Sequence, residues 1–147
     1  MIARARFVLL SIALGLAGTE TLACSAPCAS TTHYYAGGDT KPSGASMRYE
    51  SSPDSGPFLP FQGGAAIHFK HEMGVRAQSV EVYLSFNQYP LGEGAGGYSL
   101  AAGNQALVLG SDEHEIVIRN DSCSAYYIRV VLTSEPTTSG GDAATAG

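Results

Sequence analysis

The chain has 147 residues, 8 basic against 13 acidic, with a formal net charge of −5, 18 glycines, 8 tyrosines and no tryptophan. Its few Lys and Arg stand one at a time, so no basic stripe exists to neutralise phosphates, and nucleic acid is excluded as an expected partner. A charged fraction of only 14% beside so much glycine and tyrosine suits one extracellular β-rich domain better than a helical one.

Residues 1–23 read as a secretory signal peptide: Arg4 and Arg6 make a short basic region, and Phe7 to Ala17 an apolar run broken only by Ser11 and Gly15. That run is far shorter than the roughly 20 residues a membrane-spanning helix needs. Thr21-Leu22-Ala23-Cys24 resembles the lipobox of bacterial lipoproteins, which implies lipid on Cys24; ordinary cleavage after Ala23 is the alternative. Removing Arg4, Arg6 and Glu20 with the leader takes the charge from −5 to −6. Three cysteines in an exported chain leave an odd thiol. Lipid on Cys24 would leave Cys28 and Cys123 to pair, whereas a local Cys24–Cys28 bridge would leave Cys123 over.

From 24 to 46 the sequence is small, polar and glycine-rich, without sustained periodicity, and it reads as a flexible spacer. The tail from 136 to 147, PTTSGGDAATAG, reads as disordered because it holds too little apolar surface to order itself. Between them, 47–135 suffices for one small core. There the dominant period is two. Met47 to Glu50 opens the series. Ile67, Phe69 and His71 then alternate with Ala66, His68 and Lys70, and Val80, Val82, Leu84 and Phe86 with Glu81, Tyr83 and Ser85. Strands follow at Gln105 to Leu109, at Glu115 to Arg119 and at Tyr126 to Thr133, where Tyr126, Ile128, Val130 and Leu132 oppose Tyr127, Arg129 and Val131. Ser52 to Pro57, Gly63-Gly64, Pro90 to Gly97, Gly110 to Asp112 and Asn120 to Ser122 supply turns. The expectation is an all-β fold, a single antiparallel β-sandwich or small barrel of six to seven short strands.

Two stretches invite a chemical reading. His68-x-x-His71-Glu72 has closely spaced imidazoles, but residues three apart in a strand face opposite ways, and Glu72 does not stand where the zinc-hydrolase signatures put it. A metal-dependent enzyme or metal-binding protein using His68 and His71 is therefore the alternative function, and no metal or other cofactor is expected. Asp112, Glu113 and His114 are contiguous where calcium loops space their ligands, so they read as a solvated turn. The GEGAGG run at 92–97 lacks a Gly-Lys-Ser/Thr ending, and no nucleophile elbow occurs, so the chain reads as a non-enzyme. Asn120-Asp121-Ser122 is formally an N-glycosylation sequon but reads as a turn.

The run IHFKHEMGVRAQSVEVYLSF, followed later by EIVIRNDSCSAYYIRVVL, resembles the small β-sandwich modules of phage tail-fibre tips and H-type lectins. The resemblance implies a sandwich fold and a surface-binding role, and it assigns no sugar-binding residue. The resulting expectation is an exported binding or structural module of the bacterial cell envelope, lipid-anchored or extracellular. Its partner would be an envelope protein or a glycan, met at the loops carrying Tyr89 and Tyr98 or Asp112, Glu113 and His114.

Overall fold

The computed structural model describes residues 30–94 and 96–135. The leader, Cys24, Cys28 and the tail from 136 lie outside the described residues. The described chain forms ten strands: β1 (Thr32–Tyr35), β2 (Asp39–Ser43), β3 (Ser46–Glu50), β4 (Leu59–Phe61), β5 (Ala66–Lys70), β6 (Ala77–Ser85), β7 (Ser99–Leu100), β8 (Leu107–Ser111), β9 (Glu115–Arg119) and β10 (Tyr126–Ser134). A 3-10 turn at Gly103–Gln105 precedes β8. The strands make two sheets, one in the order β1-β5-β9-β8, the other β2-β3-β10-β6-β7 with β4 also on β10. The fold is thus a sandwich and not a closed barrel.

Apolar alternation sets the inner faces. Ile67 and Phe69 of β5, Ile116 and Ile118 of β9, Val82 and Leu84 of β6, and Ile128, Val130 and Leu132 of β10 meet in one buried cluster with Tyr49 and Phe61. Each such side chain stabilises by about 1.5 to 3 kcal/mol through burial. β10 is central because β6 covers one edge along its length, while β3 and β4 divide the other edge between Val131–Thr133 and Tyr126–Ile128.

Three expectations are corrected. The segment 24–46 is not all spacer, since β1 and β2 lie inside it. Edge strands need only backbone pairing and a few anchors: Tyr35 packs edge-on to Phe69 at 5.8 Å and donates to the Ser51 carbonyl at 2.8 Å, while Thr40 Oγ1 donates to the His71 carbonyl. The strand count exceeds six to seven because β1, β4 and β7 have only two to four residues each, too few for a period to stand out, and β2, DTKPS, carries no apolar alternation. The sandwich is also not wholly antiparallel. β1 pairs β5 in parallel, which follows from β2, β3 and β4 joining the other sheet before the chain returns.

The Gly63-Gly64 turn and the Asn120–Ser122 turn lock together. A Cβ on Gly63 would lie 2.7 Å from the Cys123 carbonyl carbon, so only glycine admits this approach. Asn120 is fully buried; its Nδ2 donates to the Phe61 carbonyl (3.2 Å) and the Ser124 carbonyl (2.8 Å), and its Oδ1 accepts from Ser122 N–H (3.1 Å) and Oγ–H (2.7 Å). The formal sequon is thus a turn whose amide is consumed by the fold.

Candidate functional site

Antiparallel pairing of β5 with β9 brings the two chemically suggestive stretches together, with Lys70 opposite Glu115 and His68 opposite Val117. They meet without converging. His68 lies on the outer face, its Nδ1 2.7 Å from Glu115 Oε1 and its ring 4.5 Å from that of Tyr34. His71 points into the sandwich at 1% exposure, beside Tyr49, and its Nδ1 accepts the Met73 N–H at 3.3 Å. Nε2 meets no acceptor at hydrogen-bond distance among the described residues; burial holds the imidazole pKa below its ordinary value, outweighing the nearby Glu115 backbone, which pulls it up.

Asp112 closes the β8–β9 hairpin by accepting the N–H groups of His114 and Glu115, each at 2.7 Å, and those donors depress its pKa. The Glu113 carbonyl accepts from Gly74 N–H, and the exposed His114 ring stands 3.5 Å from Glu72. Among the described residues no three His, Cys, Asp or Glu side chains come together as a metal site.

The other predicted loop lies beyond the far end of β6, whose nine residues span about 30 Å. Its two tyrosines part company. Tyr89 is exposed, and its carbonyl accepts the Gly92 N–H. Tyr98 donates to Asp54 Oδ1 at 2.9 Å and its ring meets those of Phe58 and Tyr83 at 5.5 and 5.4 Å. Behind it Arg129, 5% exposed, sits 5.4 Å over the Tyr83 ring; it donates to the Ser52 carbonyl (2.9 Å) and pairs with Glu50 (3.2 Å) and Asp54 (3.1 Å). Burial alone would raise the pKa of Glu50, but donation from Arg48 and Arg129 carries it below the ordinary carboxylate value. This cluster fastens loop 51–58 and Tyr98 to the outer face of the sheet.

Beside Tyr98 opens a groove of about 270 Å³, with Phe86, Gly97, Tyr98, Ser99, Gln105 and Tyr126 on its walls. The alternation of β6 predicts Phe86 inside. Instead the strand ends at Ser85, which donates to the Gly97 carbonyl and accepts the Asn87 N–H, and Phe86 turns out to 76% exposure. Its ring lies 5.3 Å from that of Tyr126, tilted by 44°. Gln105 steadies the far wall: its Oε1 accepts the Ala102 N–H and its Nε2 donates to Tyr126 Oη at 3.3 Å. Donation from Ser124, then from Gln105, lowers the Tyr126 phenol pKa.

Of the predicted site residues, Tyr98 lines this groove. Phe86, Gln105 and Tyr126 are functional candidates that sequence reasoning missed as a group. The signal was slight, since Phe86 reads as one more inward residue and Gln105 as the start of a strand. The expected Cys28–Cys123 bridge has one end, Cys28, outside the described residues. No helix among the described residues is long and apolar enough to cross a membrane. No protein family, characterised protein or solved structure matches the chain.

Proposed function

We propose that this chain is an exported β-sandwich of the bacterial cell envelope that acts as a binding or structural module rather than an enzyme. In this reading residues 1–23 are the signal peptide, Cys24 carries a lipid or becomes the mature N-terminus, and Cys28 is the partner of Cys123. The partner it meets is another envelope component, a protein or a glycan.

The observation that carries the binding role is the groove beyond β6, where a large aromatic side chain, Phe86, is held out of the core beside Tyr126. Exposed aromatic surface in a concave, polar-rimmed setting is costly to leave in water and is a common feature of recognition surfaces. The likeness to tail-fibre and H-type lectin modules supports the same reading.

Two measurements test it. Intact-mass spectrometry of protein from its host, before and after reduction, is expected to report cleavage before Cys24, a Cys28–Cys123 bridge and any lipid. Binding to envelope extracts and glycan arrays is expected to fall when Phe86 is changed to Ala. Absence of any ligand, together with harmless deletion of loop 89–98, would remove the binding role.

A further inference from the structure

We propose that the free edge of β8 is where this chain pairs with a second copy of itself, the two β8 strands running antiparallel across a two-fold axis so that their four-stranded sheets continue into each other. The proposal stands apart from the groove and rests on how the sheet edges differ.

An edge strand offers unpaired N–H and C=O groups to any other chain, and folded proteins blunt such edges with charge, proline or brevity. Among the described residues the edges of the second sheet are blunted in these ways: β2 reads DTKPS, with Lys41 and Pro42, β4 holds Pro60, and β7 has two residues. β1, THYY, puts a polar group on every side chain. β8, LVLGS, does none of this. It carries no charge and no proline, and Leu107, Val108 and Leu109 are 40%, 42% and 49% exposed in succession. Val108 shares the inward phase of Ile118, its partner in β9; Ile118 is fully buried, whereas Val108 meets water because β8 ends its sheet. A bulge between Val108 and Gly110 twists this edge and leaves Leu109 without a counterpart in β9.

Charge selects the occupant and its direction. The C-terminal end of β8 runs into Asp112 and Glu113, both exposed. Beside its N-terminal end lies Arg119, opposite Leu107 in β9. The Arg119 side chain is 38% exposed, gives one nitrogen to Asp121 at 2.8 Å and leaves Nε without an acceptor. Antiparallel pairing brings the acidic turn of each copy to the Arg119 end of the other, so the same attraction forms twice. A parallel copy would set the two acidic turns side by side. Full overlap places Leu109, the middle residue of β8, across from its own counterpart.

The test is sedimentation velocity on the unlipidated chain from residue 24 onward, with Cys24→Ser so that no thiol-linked dimer forms at that position. The mass is expected to move from one chain towards two between about 10 and 500 µM, as for a small interface. Leu109→Lys, which sets like charges across the axis, is expected to weaken association by about tenfold or more. Its circular dichroism and melting temperature are expected to match the parent, because Leu109 is exposed and outside the β9 ladder. Leu109→Cys is expected to cross-link to its own copy on oxidation, since directly opposed Cα atoms about 4.5 to 5.5 Å apart fall within the disulfide range of about 4.4 to 6.8 Å. A monomer at every concentration overturns the proposal. So does a dimer that survives Leu109→Lys, one that Phe86→Ala abolishes in its place, or cross-linking of Leu109→Cys to Tyr34→Cys, which would mark head-to-tail growth of β1 on β8.

Discussion

Replacing Asn120 tests whether the buried turn amide is a structural plug. Asn120→Ala removes four hydrogen bonds, two to the carbonyls of Phe61 and Ser124 and two from Ser122. The backbone bonds of residue 120, to the Ala65 carbonyl and from Gly64 N–H, survive the change. At about 1 kcal/mol net for each bond the ceiling is about 4 kcal/mol, and Ser122, only half-buried, recovers water. The expected loss is about 2 to 4 kcal/mol, a large share of the roughly 5 to 15 kcal/mol that holds a domain folded.

Asn120→Asp sharpens the test. It keeps the volume but turns a carboxylate oxygen towards two carbonyls, so at neutral pH it is expected to cost about 1 to 3 kcal/mol more than Ala. Burial raises the folded pKa of that carboxyl. The Asp variant therefore gains stability relative to wild type as pH falls towards the ordinary carboxylate value and loses it as pH rises. Urea unfolding followed by tyrosine emission and far-UV circular dichroism measures this, since the chain has no tryptophan. An Ala variant within about 0.5 kcal/mol of wild type, or an Asp variant more stable than Ala at neutral pH, refutes the reasoning.

Other consequences follow from the same packing. Gly63→Ala must displace the Cys123 backbone and is expected to cost about 1 to 3 kcal/mol. Gly74→Ala meets nothing within 4 Å but sits at φ +69°, so its cost is confined to about 1 kcal/mol of backbone preference; equal losses for the two would contradict the contact. Arg129→Met strands Glu50 with Arg48 alone and releases loop 51–58, for a loss of about 2 to 4 kcal/mol that adding Glu50→Gln partly restores in a double-mutant cycle. Because the folded-state pKa of His71 is lowered, its contribution is complete above the ordinary histidine value of about 6.5 and is lost as pH falls below it. His71→Phe is expected to flatten the decline of melting temperature between about pH 7 and 5; parallel curves for variant and wild type would show that another group titrates there.

The inner faces of the long strands were legible in sequence because apolar alternation needs no knowledge of what lies across the core. Ile67 and Phe69, Val82 and Leu84, Ile116 and Ile118, and Ile128, Val130 and Leu132 all point inward as the period predicts. Turns at Gly63-Gly64 and Asn120–Ser122 were equally legible, since glycine and Asx chemistry act within a few residues. The sandwich class followed from those two local signals.

Tertiary structure alone decided the rest. Arg129 sits on what periodicity marks as the outer face, yet it is buried, because loop 51–58 folds back to supply the Ser52 carbonyl and Asp54. β1 and β2 are strands only because β5 and β3 offer them edges. Phe86 continues the inward phase of β6 on paper, but the end of that strand and the packing of Tyr126 turn it to the surface. Local periodicity specifies which face of a strand is apolar; where the strand stops, and what covers its other face, depends on residues far away in the chain. The groove lies at one such stopping point.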